Sequence, residues 1–463
     1  MHRLHYQHPG TWFGDCMPIF AEGAFQLFHQ RDTRRPGPFG EPFGWALART
    51  VDFVHYEDLG EAVERGADDA QDQFIFAGSV FAAENRYHAL YTGFNRDHPA
   101  LGKPAQVLMH AISDDLQHWA RVEGELVPPQ PGYDPDNWRD PYVLRDDDRD
   151  RWVMILGARK DEDTIGVSGR TVWFTSTDLE RWDFQGDFWA PDLYTMHEMP
   201  DLFWMGDRWY LLTTEYSDRS KTIYRSSPGI EGPWSAPVDD AFDGRSYYAA
   251  RSASDGEHRY LFGWVATKED ERDLGAWQWG GTLVVHEVLP RPDGSLATAV
   301  PGPVRAAFGP ATELITAPEP LVERDGRRTM TLGHLTGESP ALLSFRLRVS
   351  AARSVAIRMF ENDLGDGYAF TFRVGERRLD FDRVPNYPWF RYDNRGLERP
   401  FVVEPGRDHD VDVIIDDTIA TIYVDGVALS ARMYDRPGSG IGLEVVDGEL
   451  TVQRAALSRL DLG

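Results

Sequence analysis

The sequence predicts an all-β protein in which a five-bladed β-propeller is followed by a C-terminal β-sandwich. A strand-like motif led by an aromatic residue recurs five times before residue 300, and these repeats show no helical periodicity. The last third of the chain instead alternates apolar and polar residues, which is typical of two-sided antiparallel sheets. A chain of 463 residues also exceeds what one hydrophobic core usually supports, so two domains are expected.

The propeller prediction depends on the five repeats. Each begins with a turn residue, continues with an aromatic residue and ends in a short apolar stretch. The intervals between the aromatic residues are 51 to 65 residues; the five are Phe25, Tyr87, Trp152, Trp209 and Tyr260. Units of this length built from short strands are typical of propeller blades. In that geometry the innermost strand of each blade lines a central channel, so equivalent positions of different repeats converge at one mouth.

A second element follows the first three repeats at similar offsets. It reads "TVDFVHY" (Thr50–Tyr56), "SDDLQHW" (Ser113–Trp119) and "STDLERW" (Ser176–Trp182), with a degenerate copy in "SSPGIEGPW" (Ser226–Trp234). Each of the first three places Ser or Thr two residues before an Asp. We therefore predict turns capped by these side chains, each leading into an edge strand.

The composition changes after residue 300. The segment "VPGPVRAAFGPATELITAPEP" (Val300–Pro320) is rich in Pro and Ala and is interpreted as a linker. Beyond it, several short alternating segments predict an antiparallel sandwich. The predicted domains are a propeller over 1–300, a linker over 301–320 and a sandwich over 321–463.

Composition and charge exclude several classes of partner. The formal net charge of −27 would repel phosphate backbones and anionic lipid, so neither nucleic acid nor a membrane is expected as a partner. One cysteine allows no intrachain disulfide and no thiolate metal cluster. No apolar targeting segment or membrane span is found, so a cytoplasmic location is predicted. The motifs "HEMPD" and "HEVLP" lack the second His of a zinc-protease helix, and no phosphate-binding loop is present, so no metal and no cofactor is expected.

Three carboxylates stand out by position. Asp15 precedes Phe25 by ten residues, and Asp140 and Glu198 precede the aromatic residues of repeats three and four by twelve and eleven. We expect all three to meet at one end of the channel. Clustered like charges raise the pKa of at least one member, and glycosidic cleavage requires an acid and a base of differing pKa.

Around these acids the sequence resembles glycoside hydrolase family 32, the invertase, levanase and inulinase family. The resemblance covers nearly the whole chain in the family's order. The motifs that carry it are "WFGD", "LFHQ", "GWALARTVDFVHYEDL", "FAGSV", "YTG", "RDP" and "HEMPDLF". The family has a five-bladed propeller followed by a β-sandwich, in agreement with the repeats.

The resemblance also implies roles for the acids. Asp15 would be the nucleophile that attacks the anomeric carbon of a fructofuranosyl unit, and Glu198 would be the general acid and then the base. Asp140 would stay ionised and hold sugar hydroxyls. Such retaining chemistry predicts carboxyl groups of Asp15 and Glu198 about 5–5.5 Å apart. The residues carried over to the sugar pocket are Trp12, Gln30, Trp45, Phe76, Ser79 and Arg139, and Trp264 is a further candidate.

The sequence departs from the family around the first sugar. Gly14 replaces an Asn, Leu47 replaces a His, and Met199 replaces a Cys; Cys16-Met17-Pro18 replaces Pro-Asn-Gly after the nucleophile. Because losing a hydrogen bond to a substrate hydroxyl can change discrimination substantially, sucrose is not assigned as the substrate. Cys16 is interpreted as a small buried filler.

The leading hypothesis is a retaining, exo-acting fructofuranosidase acting on short fructosides, so the expected partner is a disaccharide or small oligosaccharide. An inverting arabinanase or xylosidase on the same fold would require an acid–base separation of roughly 6.5–9.5 Å. A fructosyltransferase stays open because the same covalent intermediate serves both outcomes. A non-catalytic sugar-binding propeller is least favoured, since all three acids are present. The sandwich could bury a propeller flank, form a homo-oligomer interface or contribute a substrate subsite.

Overall fold

The computed structural model describes residues 2–37, 39–124, 127–161, 164–337, 339–387, 389 and 392–461. Within them the protein is almost entirely β, with one short α-helix, α1 (Gly302–Ala306). Single 3-10 turns cover His98–Leu101, Asp147–Arg149, Ile165–Val167 and Glu269–Glu271. No described helix has the length and apolar character needed to cross a membrane.

The first nineteen strands follow one another as antiparallel meanders. Their bounds are β1 (Trp12–Ala21), β2 (Ala24–Asp32), β3 (Trp45–Thr50), β4 (Glu57–Val63), β5 (Phe74–Ala83), β6 (Arg86–Phe94), β7 (Gln106–Ser113), β8 (Trp119–Arg121), β9 (Tyr133–Asp146), β10 (Arg151–Lys160), β11 (Gly169–Ser176), β12 (Asp183–Trp189), β13 (Glu198–Met205), β14 (Arg208–Glu215), β15 (Lys221–Ser227), β16 (Tyr247–Ser254), β17 (Arg259–Lys268), β18 (Trp277–Pro290) and β19 (Leu296–Ala299).

Three groups of these strands form separate sheets: β5–β8, β9–β12 and β13–β15. The remaining eight form one sheet in the order β16-β17-β18-β1-β2-β3-β4, with β19 on β18. Strand β1 pairs with β2 along its length but meets β18 only at Phe13 and Gly281. The beginning of the chain is thus joined to its later strands through this short contact, which is hereafter called the seam.

The five aromatic residues that define the repeats occupy equivalent places. Each is the second residue of the second strand in its meander, in β2, β6, β10, β14 and β17. The sequence prediction of five equivalent strands at these positions is confirmed. The acidic run after Asp146 forms the turn that joins β9 to β10.

The capped turns predicted after the third strands are confirmed. Ser113 Oγ accepts hydrogen bonds from the backbone N–H groups of Asp115 and Leu116, at 3.2 and 2.9 Å. Asp115 Oδ1 accepts those of Gln117 and His118, at 2.9 and 2.8 Å. The same bonds recur in Thr50–Asp52 and Ser176–Asp178. The residue after each Asp has a positive φ of 60–64°. The proposed degenerate copy differs, because Ser226 instead forms a β-bridge with Ser235.

The C-terminal part forms an eleven-stranded sheet. Its strands are β20 (Thr312–Ile315), β21 (Glu319–His334), β22 (Ala341–Ala351), β23 (Ser354–Glu361), β24 (Gly367–Arg373), β25 (Arg378–Val384), β26 (Glu398–Pro400), β27 (Asp408–Asp416), β28 (Ile419–Val424), β29 (Val427–Arg432) and β30 (Gly440–Arg459). The twenty-residue strand β30 pairs with β23 through its first half and with β22 mainly through its second, around one shared apolar core. The alternating segments were correctly predicted as strands. Within the segment interpreted as a linker lie α1 and β20, and β20 pairs with β30.

The start of the chain docks on the C-terminal sheet through one carboxylate. Asp416, at the end of β27, is fully buried and accepts the backbone N–H groups of Arg3, Leu4 and His5, all at about 3.0 Å. Burial alone would raise the pKa of this carboxyl, but hydrogen bonds and the nearby His2 and His5 lower it well below the usual value. The ionised carboxylate therefore anchors the segment that leads into β1.

Asp416→Ala is expected to lower the free energy of unfolding by about 2–4 kcal/mol, because it leaves three backbone donors without their acceptor. The pKa of Asp416 is lowered on folding, so this stabilisation is present above the ordinary carboxyl range and is lost as the pH falls toward the folded value. Urea unfolding at pH 7 and at about pH 3, below the ordinary carboxyl pKa, measures both effects. Asp410→Ala on the same strand removes an exposed pair with Arg346 and should change stability by less than about 0.5 kcal/mol. Equal effects of the two variants would contradict the anchoring role.

Candidate active site

The structure brings Asp15, Asp140 and Glu198 together. They lie on β1, β9 and β13, the first strands of their meanders. Arg139 links two of them: its Nη2 donates to Glu198 Oε1 at 2.8 Å, and its Nε is 3.9 Å from Asp140 Oδ2. Asp15 is close enough for the charges of both other acids to raise its pKa. The expected convergence of the three acids is therefore present in the fold.

Both carboxylate oxygens of Glu198 are held. Oε1 accepts from Arg139, and Oε2 accepts from the Tyr248 hydroxyl at 2.5 Å. Burial, followed by the charge of Glu198, raises the pKa of Tyr248 well above its usual value, so the phenol keeps its proton and remains a donor. The Glu198 backbone carbonyl accepts from Thr213 Oγ1 at 2.9 Å. The carboxyl is thus fixed in direction while its side chain stays 20% exposed.

Asp140 is held in an unusual backbone conformation. Its backbone φ is +63°, a value that residues other than glycine rarely adopt. Its backbone N–H donates to Thr92 Oγ1 at 2.9 Å. Its Oδ2 accepts the backbone N–H of Met199 at 3.0 Å, and Met199 itself has a φ of +50°. These two strained residues lie side by side within the acid cluster. Backbone strain of this kind is concentrated at functional sites.

Asp15 is positioned by a break in strand pairing. The β1–β2 register shifts between Phe13 and Cys16, which releases Asp15 from regular pairing. Trp264 Nε1 donates to Asp15 Oδ1 at 3.2 Å, and Oδ2 has no described hydrogen bond. Cys16 is fully buried in the core, as expected of a filler.

Asp15 and Asp140 have raised pKa values. Burial raises the pKa of Asp15 well above its usual value, the charges of Asp140 and Glu198 raise it further, and the Trp264 hydrogen bond and Arg251 oppose this. Burial also raises the pKa of Asp140, against the opposing effect of Arg139. Perturbed carboxyl groups of this kind are typical of catalytic acid–base sites.

An aromatic wall lies beside Asp15. Trp264 contacts Trp279 edge to face, with ring centroids 5.6 Å apart, and Trp279 contacts Phe39 in the same way at 6.0 Å. A Cβ atom at position 14 would lie only 2.4 Å from Trp279 Cη2 and 3.0 Å from Gln30 Cβ. Trp279 therefore fills the space that a side chain at Gly14 would need. The missing Asn of the resemblance is explained by this contact.

Gly14→Asn is expected to lower kcat/KM by at least about 10²-fold, because the new side chain displaces Trp279 or the strand that carries Asp15. Overpacking should also cost about 1–3 kcal/mol of stability. The double variant Gly14→Asn/Trp279→Ala should recover part of both losses, with Trp279→Ala alone as the control. Steady-state kinetics and thermal unfolding measure these effects. A single Gly14→Asn variant as active and stable as the parent would contradict the proposed packing.

The other predicted pocket residues have different surroundings. Trp12 lies under the Arg34 guanidinium, 3.9 Å from its ring centroid, and Phe76 stacks on Phe94 at 4.4 Å. Gln30 is buried, and its Nε2 donates to the carbonyl of Ile75 at 3.4 Å. These three predicted residues belong to the strands and loops around Asp15.

Two predicted pocket residues are buried away from solvent. Trp45 has no exposed surface, and its Nε1 donates to the carbonyl of Phe76 at 3.1 Å. Ser79 is 4% exposed, and its hydroxyl accepts the backbone N–H of Val143 at 3.2 Å. Both side chains thus bond to a neighbouring strand, and their contact with a sugar stays a prediction.

Sequence reasoning missed Tyr248, Arg251 and Trp279. Tyr248 had a usable signal, since it precedes Tyr260 by twelve residues, as Asp140 precedes Trp152. Arg251 and Trp279 had none, because an isolated Arg or Trp does not indicate which other strand it will contact. No group of three or more His, Cys, Asp or Glu residues in the described ranges is arranged to hold a metal ion.

The profile described as the glycosyl hydrolases family 32 N-terminal domain matches residues 5–290. The chain belongs to glycoside hydrolase family 32. This family-32 chain is therefore a glycoside hydrolase, and the matched range contains all three clustered acids.

Relatives match this family-32 chain over most of their length. The sucrose-6-phosphate hydrolase of Escherichia coli is 24% identical, with 99% of this chain and 94% of the relative covered. The levanbiose-producing levanase of Bacillus subtilis (strain 168) is 23% identical, with 99% and 90% covered. The fold is similar to that of sucrose-6-phosphate hydrolase from Lactobacillus gasseri, with a TM-score of 0.78 at 18% identity over 100% of this chain and 93% of the other.

Proposed function

We propose that the protein is a retaining, exo-acting β-fructofuranosidase that releases fructose from short fructofuranosides through a covalent fructosyl–Asp15 intermediate. The observation that carries this proposal is the meeting of Asp15, Asp140 and Glu198 on the first strands of three meanders. The proposal includes a five-bladed propeller over 1–300, a linker over 301–320 and a β-sandwich over 321–463. The separate sheets and the seam that joins β18 to β1 support this architecture.

Asp15 would act through Oδ2. Trp264 donates to Oδ1, so Oδ2 is the oxygen available to attack the anomeric carbon. In the first step the Oδ2–carbon bond forms, the glycosidic carbon–oxygen bond breaks, and the leaving oxygen takes a proton from Glu198. In the second step Glu198 removes a proton from water, whose oxygen displaces Asp15 and yields fructose. Two inversions give net retention.

The groups around Glu198 and Asp140 would fix the orientation of these two carboxyl groups. Arg139 and Tyr248 fix the Glu198 carboxyl between them, which suits a group that must deliver and later recover one proton. Asp140, held by its backbone and by Met199, would accept hydrogen bonds from sugar hydroxyls and stabilise the positive charge that develops on the ring. Asp15 must be ionised to attack, so kcat/KM should rise with pH through its raised pKa.

The substrate class is supported by the relatives, whose names specify sucrose 6-phosphate and levan-type fructans. A panel of sucrose, sucrose 6-phosphate, inulobiose, levanbiose, difructose anhydrides and an arabinofuranoside tests the proposal. Fructose release from at least one fructoside is expected. Release of arabinose with no fructose from any substrate would overturn it.

The anomeric form of the first product tests the mechanism. ¹³C NMR of newly released fructose should show the β-anomer before mutarotation. An initial α-anomer would instead establish inversion and remove the covalent intermediate. Oligosaccharides that accumulate at high substrate concentration would show transfer from the same intermediate to a second sugar. A cytoplasmic location and a homo-oligomeric state stay predictions from the sequence.

A further inference from the structure

One buried arginine joins three sheets next to the cluster formed by Asp15, Asp140 and Glu198. Arg251, on β16, is 1% exposed. Its Nη1 donates to the carbonyl of Gly78 on β5 and lies 3.5 Å from the carbonyl of Pro141, and its Nη2 donates to the carbonyl of Asp140 at 2.8 Å. The side chain thus crosses from β16 to β5 and β9. Its acceptors are backbone oxygens rather than carboxylates.

The Arg251 charge has no direct ion-pair partner among the described residues. Its guanidinium carbon is 5.5 Å from the Tyr142 ring centroid, and Nε is buried without a hydrogen bond. Asp201 Oδ1 is likewise buried without one, while Oδ2 accepts the N–H and the hydroxyl of Ser252 at 2.6 and 2.7 Å. The charge therefore acts on the surrounding acids at longer range.

The titratable and charged groups that face Arg251 come from four strands: Asp15 and Cys16 on β1, Asp140 and Tyr142 on β9, Asp201 on β13 and, through Ser252, Arg259 on β17. Burial, which opposes the charged form, lowers the pKa of Arg251, and the nearby acids act against this. The guanidinium keeps its positive charge at neutral pH, because arginine is effectively always protonated in proteins.

We propose that Arg251 is a positioning residue for the acid cluster. It holds the Asp140 peptide in the left-handed conformation by binding its carbonyl at 2.8 Å, and this contact places its positive charge within the acid cluster. Arg251 acts through Asp140 and Asp15 and does not touch the substrate. This inference rests on the proposed function, in which those two acids carry out the chemistry.

Arginine suits this position better than lysine. The guanidinium presents donors in a fixed fork, and here the two arms reach carbonyls on different sheets. A lysine would keep the charge but could not hold both carbonyls in the same directions. The two contributions, geometry and charge, are therefore separable by substitution.

The test compares Arg251→Lys and Arg251→Gln with a matched control. Arg399 is also buried, at 3% exposure, and also donates to two backbone carbonyls, those of Ala428 at 2.8 Å and Ala241 at 2.5 Å. Unlike Arg251, Arg399 also pairs with a carboxylate, Asp239, at 2.7 Å. Arg399→Gln removes a buried arginine that makes no described contact with Asp15, Asp140 or Glu198. It should lower thermal stability without moving the pH profile.

Both Arg251 variants should lose about 10–10²-fold in kcat with KM changed less than about threefold, because the displaced acid is needed mainly in the transition state. In Arg251→Gln the acidic limb of kcat/KM should move to higher pH, because the positive charge that opposed the raised pKa of Asp15 is gone. In Arg251→Lys the limb should stay near that of the parent. A purely structural role would lower stability and kcat in both variants and leave the limb in place.

A substrate-free readout separates this inference from the proposed function. Titration of ¹³C-labelled Asp carboxyl groups, with Asp15 assigned through Asp15→Asn, should show the Asp15 resonance titrating at higher pH in Arg251→Gln. If no fructoside is cleaved by the parent but this shift occurs, the positioning role stands and the substrate proposal fails. An unchanged Asp15 titration in a folded Arg251→Gln protein overturns the positioning role.

Discussion

Asp15→Asn is expected to lower kcat on the best fructoside by at least about 10⁴-fold, because an amide cannot form the fructosyl–enzyme bond. Trp264 would still bind the remaining carbonyl oxygen, so the site should keep its shape and KM should change little. Rapid-quench or coupled assays of fructose release measure the loss. Retention of more than a tenth of the parent activity would remove Asp15 from the mechanism.

Stability supplies an internal control for the Asp15 variant. The folded-state pKa of Asp15 is raised, so folding favours the neutral form, and stability is lost as the pH rises from the unfolded to the folded pKa. Asn has no charge to bury, so the variant should unfold at a higher temperature than the parent at pH 7. The difference should disappear at low pH, where Asp15 is protonated in both states. A less stable Asp15→Asn protein would indicate damage to the fold rather than loss of the nucleophile alone.

Glu198→Gln is expected to lose about 10³-fold in kcat/KM on sucrose-like substrates, since proton donation to a poor leaving group typically contributes 10²–10⁴-fold. The loss in kcat/KM should be much smaller on fructosyl fluoride, whose leaving group departs without protonation. Parallel measurement of kcat/KM on the two substrates isolates the acid role, because this parameter reports the first step and not the later hydrolysis in which Glu198 acts as a base. The Gln side chain can keep its place, because its carbonyl oxygen can accept from Arg139 and its NH2 group can donate to the Tyr248 hydroxyl oxygen.

Glu444→Gln is the matched control for Glu198. Glu444 is a buried acid in β30, paired with Arg358 and remote in the fold from β13. Its replacement should reduce stability and leave the ratio of kcat/KM values for the two substrates unchanged. Equal losses on sucrose and fructosyl fluoride in Glu198→Gln would contradict the general-acid assignment.

Regular features of the fold could be predicted because they repeat. The aromatic second residue of each second strand and the Ser-x-Asp turns are local, so their spacing in the sequence survives in space. The three acids could be found for the same reason, since each is ten to twelve residues before a repeat aromatic. Because the repeats fold alike, residues at equivalent positions in the sequence lie at equivalent places in the structure.

The contacts that complete the site could not be predicted this way. Trp45 and Ser79 matched family motifs, but motif identity does not report that both side chains are buried and bonded to neighbouring strands. Trp279 and Arg251 act across sheets through close packing, which no local pattern records. Gly14 could be recognised as a departure, but only the position of Trp279 explains it.

The seam gives the active site an order of assembly. Asp140 and Glu198 lie on strands whose own meanders are complete by residue 227, whereas Asp15 lies on the strand that meets β18 at Gly281. Asp15 is thus synthesised before the other two acids, yet one flank of its strand pairs with a strand that follows all three in the sequence. Such a distant pairing delays folding, because a long loop must close before any contact compensates for the lost chain entropy. A growing chain therefore contains all three acids well before it can bring them together. We expect the complete acid cluster to form only after β18 has been synthesised and has paired with β1.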